Sequence, residues 1–157
     1  MDTPKHKLHA TVTMHGVWHQ APPRVKIGLN QQEIYHGDLI HTQTFEIEQW
    51  LEPGPASIWI EFNNKIDADT VDDKDKAVII DSIVLNGIAS PKFVWAGLYQ
   101  PLYPAIWHQQ QCDQGTTPAE ILQYHNYLGW NGKWRLDIAI PVFTWIHQIE
   151  NLGWIYD

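Results

Sequence analysis

Two apolar strand patterns, IWIEFNN at residues 58–64 and VIIDSIVLNG at residues 78–87, flank a linker reading KIDADTVDDKDK, with five aspartates between Asp67 and Asp75. Strands of this kind pack into a core and fix the ends of the segment that joins them. A fixed cluster of carboxylates is then either a site for a hard cation, which takes oxygen ligands, or a solvated turn whose charges repel one another. Asp67, Asp69, Asp72, Asp73 and Asp75, with Asn63 and Asn64, supply enough oxygens for the first reading. The loop is not an EF-hand, because Asp72 stands where that loop needs glycine and Val78 where it needs its closing glutamate.

The rest of the first half repeats a rhythm of short strand and turn. Residues 8–18, LHATVTMHGVW, carry β-formers in partial alternation until Ala21-Pro22-Pro23 breaks the run. VKIGLN follows, with Asn30 and Gly37 as turn formers around a hairpin. In HTQTFEIEQWL, Thr42, Thr44, Glu46 and Glu48 face one way and Gln43, Phe45, Ile47 and Gln49 the other. Pro53-Gly54-Pro55 ends that strand, and SIWIEF then sets Ile58, Ile60 and Phe62 against Ser57, Trp59 and Glu61. Five or six short strands between proline, glycine and asparagine turns predict an all-β, antiparallel, jelly-roll-like sandwich.

Beyond Ser90 the composition changes. FVWAGLYQPLYPAIWHQQQCDQG holds four Trp or Tyr rings and two prolines with little periodicity, which predicts an extended arm. Thr117, Pro118 and Glu120 form an N-cap, a first-turn proline and an acidic first turn, so residues 118–128 are predicted to be the one short helix, ended by Gly129. Asn131-Gly132 turns into a final strand, KWRLDIAI, which Pro141 stops. The expected organisation is a sandwich over residues 1–89 and an aromatic arm and tail over residues 90–157 that dock on another surface.

Charge and composition narrow the partners. Ten Lys plus Arg against 18 Asp plus Glu give a formal charge of −8, the wrong sign for neutralising phosphates, so nucleic acid is not an expected partner. Cys112 is the single cysteine and has no internal disulfide partner. The N-terminus lacks the pattern of a signal peptide, and no apolar run reaches the roughly 20 residues that cross a bilayer, so neither export nor membrane insertion is expected. The nine histidines include no His-Glu-x-x-His pair, the serines no nucleophile elbow, and the glycines no phosphate loop. A non-catalytic binding role is the expectation.

The order FNN, acidic loop, DKAVIIDSIVLNG resembles the C-terminal half of calcium-dependent xylan-binding carbohydrate-binding modules, in which an acidic loop precedes a strand of the form Asp-Arg-Asn-Leu-x-Val-Asp-x-Ile-x-Val-x-Gly. Asp75, Asp81, Ile83 and Gly87 match that pattern. Lys76, Ala77 and Val78 depart from it, and Lys65 stands where the modules favour an acidic residue, so that an ammonium can replace the cation. The resemblance implies a β-sandwich and a calcium site on Asp73, Asp75 and Asp81. Related sandwiches also occur in phage virions, and NNKIDADT with the aromatic tail is similar to such a component.

The leading expectation is therefore a virion-type structural protein, in the virion or in the cytoplasm before assembly, whose partners are other subunits. Trp130, Trp134, Trp145, Trp154 and Tyr156 are its expected interface residues, because aromatic anchors dominate protein contacts. The alternative is a carbohydrate-recognition module that uses calcium and holds a glycan on Trp18, Trp59 and Trp95, where flat indoles match the apolar face of a sugar ring. An enzyme of unknown type comes third.

Overall fold

Leu8, Ala10, Val12 and Met14 are wholly buried while the residues between them are not, and this alternation makes His6–Val17 (β1) an inner strand of a sheet. The computed structural model describes residues 4–150 of the chain. Along β1 run Gln43–Leu51 (β4) on one edge and Ala77–Leu85 (β6) on the other, both antiparallel. The short strands Ile88–Ala89 (β7) and Tyr127–Leu128 (β10) pair with β6. The second sheet has the order β3-β2-β5-β11-β8-β9, made of Arg24–Leu29 (β2), Gln32–Asp38 (β3), Gly54–Phe62 (β5), Leu98–Pro101 (β8), Leu122–Gln123 (β9) and Gly132–Ile140 (β11). The inner faces of both sheets feed one apolar cluster, which makes the molecule an antiparallel β-sandwich as expected.

The sandwich does not end at residue 89. The strand β11 lies between β5 and β8, with Trp134 opposite both Ile60 and Tyr99. Ile58 and Ile60 of β5 are wholly buried, and a buried strand needs a partner for its backbone on each edge, which β2 and β11 provide. Trp134 is correspondingly 0% exposed, so it is a core residue and not an interface anchor. Its ring lies against Gly97, where an added Cβ would meet it at 2.1 Å. The helix Val142–Glu150 (α3) buries Val142 and Ile146, and its Trp145 packs on Phe93 of the short helix Pro91–Trp95 (α1) at 5.7 Å between ring centres. Trp145 therefore contacts its own fold. Trp154 and Tyr156 lie outside the described residues.

Residues 118–128 do not form the expected helix. Leu122 and Gln123 pair with β8, Tyr127 and Leu128 with β6, and Tyr124 adopts a φ of 59°, outside the helical region. Leu128 is wholly buried by this pairing, a gain that overrides the capping signal. The helix of this region is instead Ala105–Asp113 (α2), and it ends in a Schellman motif. Gly115 takes a φ of +86°, its N–H donates to Cys112 O, and Thr116 N–H donates to Gln111 O.

Candidate functional site

The acidic loop starts from a residue whose backbone is clamped. Lys65 N–H donates to Asn131 Oδ1 at 2.8 Å, and Asn131 Nδ2 donates back to Lys65 O at 2.9 Å. A single turn of 3-10 helix, Asp67–Asp69, follows, and the Asp69 carboxylate accepts the Ile66 N–H at 2.8 Å. Asp69 and Lys76 are both almost completely buried and form an ion pair of 3.1 Å. Between them a tight turn, closed by reciprocal backbone bonds of Val71 and Lys74, carries Asp72 and Asp73 out into solvent. Asp72 has the left-handed φ of 56° that such a turn needs.

The chain then returns to Asp75, the most heavily bonded carboxylate of the loop. Its Oδ1 accepts from Lys65 Nζ at 2.7 Å and from Thr70 Oγ1 at 2.8 Å, and its Oδ2 accepts from the Tyr127 hydroxyl at 2.6 Å. Burial pushes this carboxyl up, but the bonds from Lys65, Tyr127 and Thr70 together with the Lys65 charge outweigh it, so it lies below the usual carboxylate range. The Tyr127 hydroxyl moves the opposite way, held above the usual phenol range by burial and by the anion it faces. Lys65 Nζ also donates to Gly129 O, which ties the loop to the segment leading into β11.

Beside this cluster opens a cleft of about 720 Å³, a volume that fits a small organic ligand. Lys65, Asp67, Thr70, Asp75 and Tyr127 line one side, and Leu102, Pro104, Ile106, Trp107, Gln110 and Trp130 line another. Tyr103, Trp107 and Trp130 form a triangle of rings with centres 5.1–5.6 Å apart. The wall is set by buried groups. Tyr99 in β8 donates its hydroxyl proton to Trp130 O and accepts the Trp130 N–H at 3.0 Å, and Leu102 N–H donates to Asn131 O at 2.6 Å. Asn131 thus joins the two sides, since it also clamps Lys65.

The structure places the expected sugar-binding tryptophans away from this cleft. Trp59 lies flat across Gly28 with its Nε1–H on Asn30 O at 2.7 Å and Lys133 Nζ 4.5 Å above the ring, and only 9% of it is exposed. Trp18 is exposed just beyond β1 and Trp95 is exposed on α1, and neither lines the cleft. Of the expected interface residues, Trp130 lines it. The sequence does not single out Trp107, whose segment has no periodicity, or Tyr127, which falls within the expected helix. The useful signal was Gly115, a helix-ending glycine after the run AIWHQQQCD.

The expected calcium ligands are not brought together. Asp73 stands in solvent at the loop tip, Asp75 is taken by three donors, and Asp81 lies on β6 paired with His15 Nδ1 at 2.8 Å. Among the described residues no three His, Cys, Asp or Glu side chains gather around a cation-sized space. A hard cation needs several carboxylate oxygens that converge, and here Asp69 and Asp75 are each paired with a lysine while Asp72 and Asp73 stand apart in solvent, so the residues as arranged do not fit calcium.

No protein-family model and no curated protein matches the chain. Two solved structures of a carbohydrate-binding module, vCBM60, do share its fold. Its selenomethionine form, described with a circular permutation linking two families of calcium-dependent carbohydrate-binding modules, has a TM-score of 0.53 and 16% identity, covering 82% of this chain and 89% of its own. vCBM60 in complex with galactobiose has a TM-score of 0.53 and 14% identity, covering 83% and 99%. At these identities the likeness is one of fold.

Proposed function

We propose that this protein is a saccharide-binding module that holds a neutral oligosaccharide in the cleft between the acidic loop and α2. The observation that carries this reading is the pairing, in one open cleft, of indole rings with a fixed hydrogen-bonding set. A sugar offers an apolar C–H face to Trp107 and Trp130, and its hydroxyls can bond to Asp75, Tyr127, Gln110 and Asn131. The cleft carries Asp67 and Asp75 against the one ammonium of Lys65, so an acidic sugar would meet an excess of negative charge. The fold shared with a module whose galactobiose complex is known supports the same class of ligand. The role is binding without catalysis.

Titration of the full chain with neutral oligosaccharides, galactobiose among them, tests this. Saturable binding is expected, and Trp107→Ala should weaken it at least tenfold, about 1.4 kcal/mol. Binding that ignores Trp107→Ala, or no binding to any neutral saccharide, would count against the cleft.

A second reading, docking onto the subunits of a virion-type assembly, is favoured by one feature. The helix α2 buries no residue, and its own Ile106 and the preceding Leu102 are 76% and 69% exposed. Concentration-dependent self-association abolished by Ile106→Asp, with no response to saccharide, is the outcome it predicts.

A further inference from the structure

Residues 65–76 carry five aspartates and three lysines, and two of the ammonium groups are turned into the loop rather than into solvent. Lys76 Nζ meets Asp69 Oδ2 at 3.1 Å with both side chains sealed. Lys65 Nζ meets Asp75 Oδ1 at 2.7 Å and the Gly129 carbonyl, with 15% of its side chain exposed. The inward carboxylates are correspondingly committed. Both oxygens of Asp75 accept protein donors, and Asp69 Oδ2 takes the Ile66 N–H as well as Lys76. An ammonium has three N–H groups, and Lys65 spends two of them here, so one is left on a side chain that lines the cleft.

We propose that Lys65 and Lys76 are the resident cations of the acidic loop, holding it closed without a metal, and that the remaining Lys65 N–H donates to a hydroxyl of the bound ligand. The structurally similar module is described in connection with calcium-dependent families, and this chain carries its positive charge on its own side chains. A tethered ammonium loses no translational freedom on folding and pairs with one carboxylate oxygen, where calcium takes about six to eight oxygens. The loop is therefore ordered at any calcium concentration. The ligand half of the proposal rests on the saccharide reading above, whereas the metal half does not.

The experiment separates the two. Wild-type protein is melted in chelator and in millimolar calcium, and terbium is titrated against it with Tyr127 and Trp130 as luminescence donors. The melting temperature should be the same in both buffers, with no saturable terbium signal. Saturable terbium binding together with a calcium-dependent rise in melting temperature would overturn the proposal. Lys65→Asp should melt lower than wild type in chelator and recover part of the loss in calcium; indifference to calcium in a folded Lys65→Asp protein would also overturn it. Should that variant not fold, Lys65→Met replaces it, expected to melt lower in either buffer and to bind neutral oligosaccharide at least tenfold more weakly. Undiminished oligosaccharide binding by Lys65→Met would overturn the donor role of Lys65. A wild type that binds no saccharide would remove the ligand half and leave the calcium measurements to decide the rest.

Discussion

The acidic loop contains two lysine–aspartate pairs with opposite surroundings. Asp69 and Lys76 are closed off from water, at 2% and 4% side-chain exposure, whereas Asp75 and Lys65 are 27% and 15% exposed and open on the cleft. The sealed pair holds shape. Its charges have been stripped of water, and each depends on the other for compensation. The open pair keeps donors and acceptors within reach of a ligand, and the phenol and hydroxyl around it keep the carboxylate fixed and ionised. One short segment thus buries one pair and leaves the other open on the cleft.

The largest effect that distinguishes the pairs is expected at Lys76. Lys76→Met leaves the Asp69 charge buried without a counter-charge, and the loss should be about 3–5 kcal/mol by denaturant melting. Combining it with Asp69→Leu should recover most of that loss, since a buried ion pair replaced by apolar groups is often neutral. Failure of the double variant to recover would mean that the pair is needed for more than charge compensation. At the open pair, Lys65→Met should cost less, about 1–3 kcal/mol, because water can reach the abandoned carboxylate.

Tyr127→Phe is milder still. It removes one hydrogen bond to Asp75, worth about 1 kcal/mol, and the Asp75 carboxyl should titrate closer to its ordinary value. The pH dependence follows from the sign of each shift. Asp75 is held below its ordinary 3.8, so its contribution is fully present above that pH and is lost as pH falls through the depressed folded value. Tyr127 is held above its ordinary 10, so its contribution is present below that pH and is lost as pH rises towards the raised folded value. Denaturant midpoints measured across pH should therefore fall at both ends for wild type, and Tyr127→Phe should lessen both falls, with buried Tyr99, also held above the usual phenol range, keeping part of the alkaline one.

The strands were legible because a half-buried strand writes its own period. Leu8, Ala10, Val12 and Met14 alternate in sequence as they do in space, and Trp134, Leu136 and Ile138 do the same in β11. Asn86-Gly87 was readable as a turn for the same local reason, with φ values of 48° and 83°. The position of β11 was not legible, because nothing in KWRLDIAI states that its neighbours are β5 and β8. The helix α2 buries no residue and so has no apolar stripe to read, while residues 118–128 had good caps that pairing with the two sheets overruled. The site was half visible. Lys65 and Asp75 stood out as charges in one loop, but Trp107, Tyr127 and Trp130 reach them from separate segments, and only the closed sandwich brings them together.

Nine tryptophans give nine indole N–H resonances, and the fold places the eight among the described residues in different surroundings. Chemical-shift mapping with a neutral oligosaccharide therefore tests the cleft most directly. The Trp107 and Trp130 signals should move in a saturable way while those of buried Trp134 and of Trp59 stay in place. Saturable movement confined to Trp18, Trp50 or Trp95, or none at all across a panel of neutral saccharides, would contradict the assignment of the cleft.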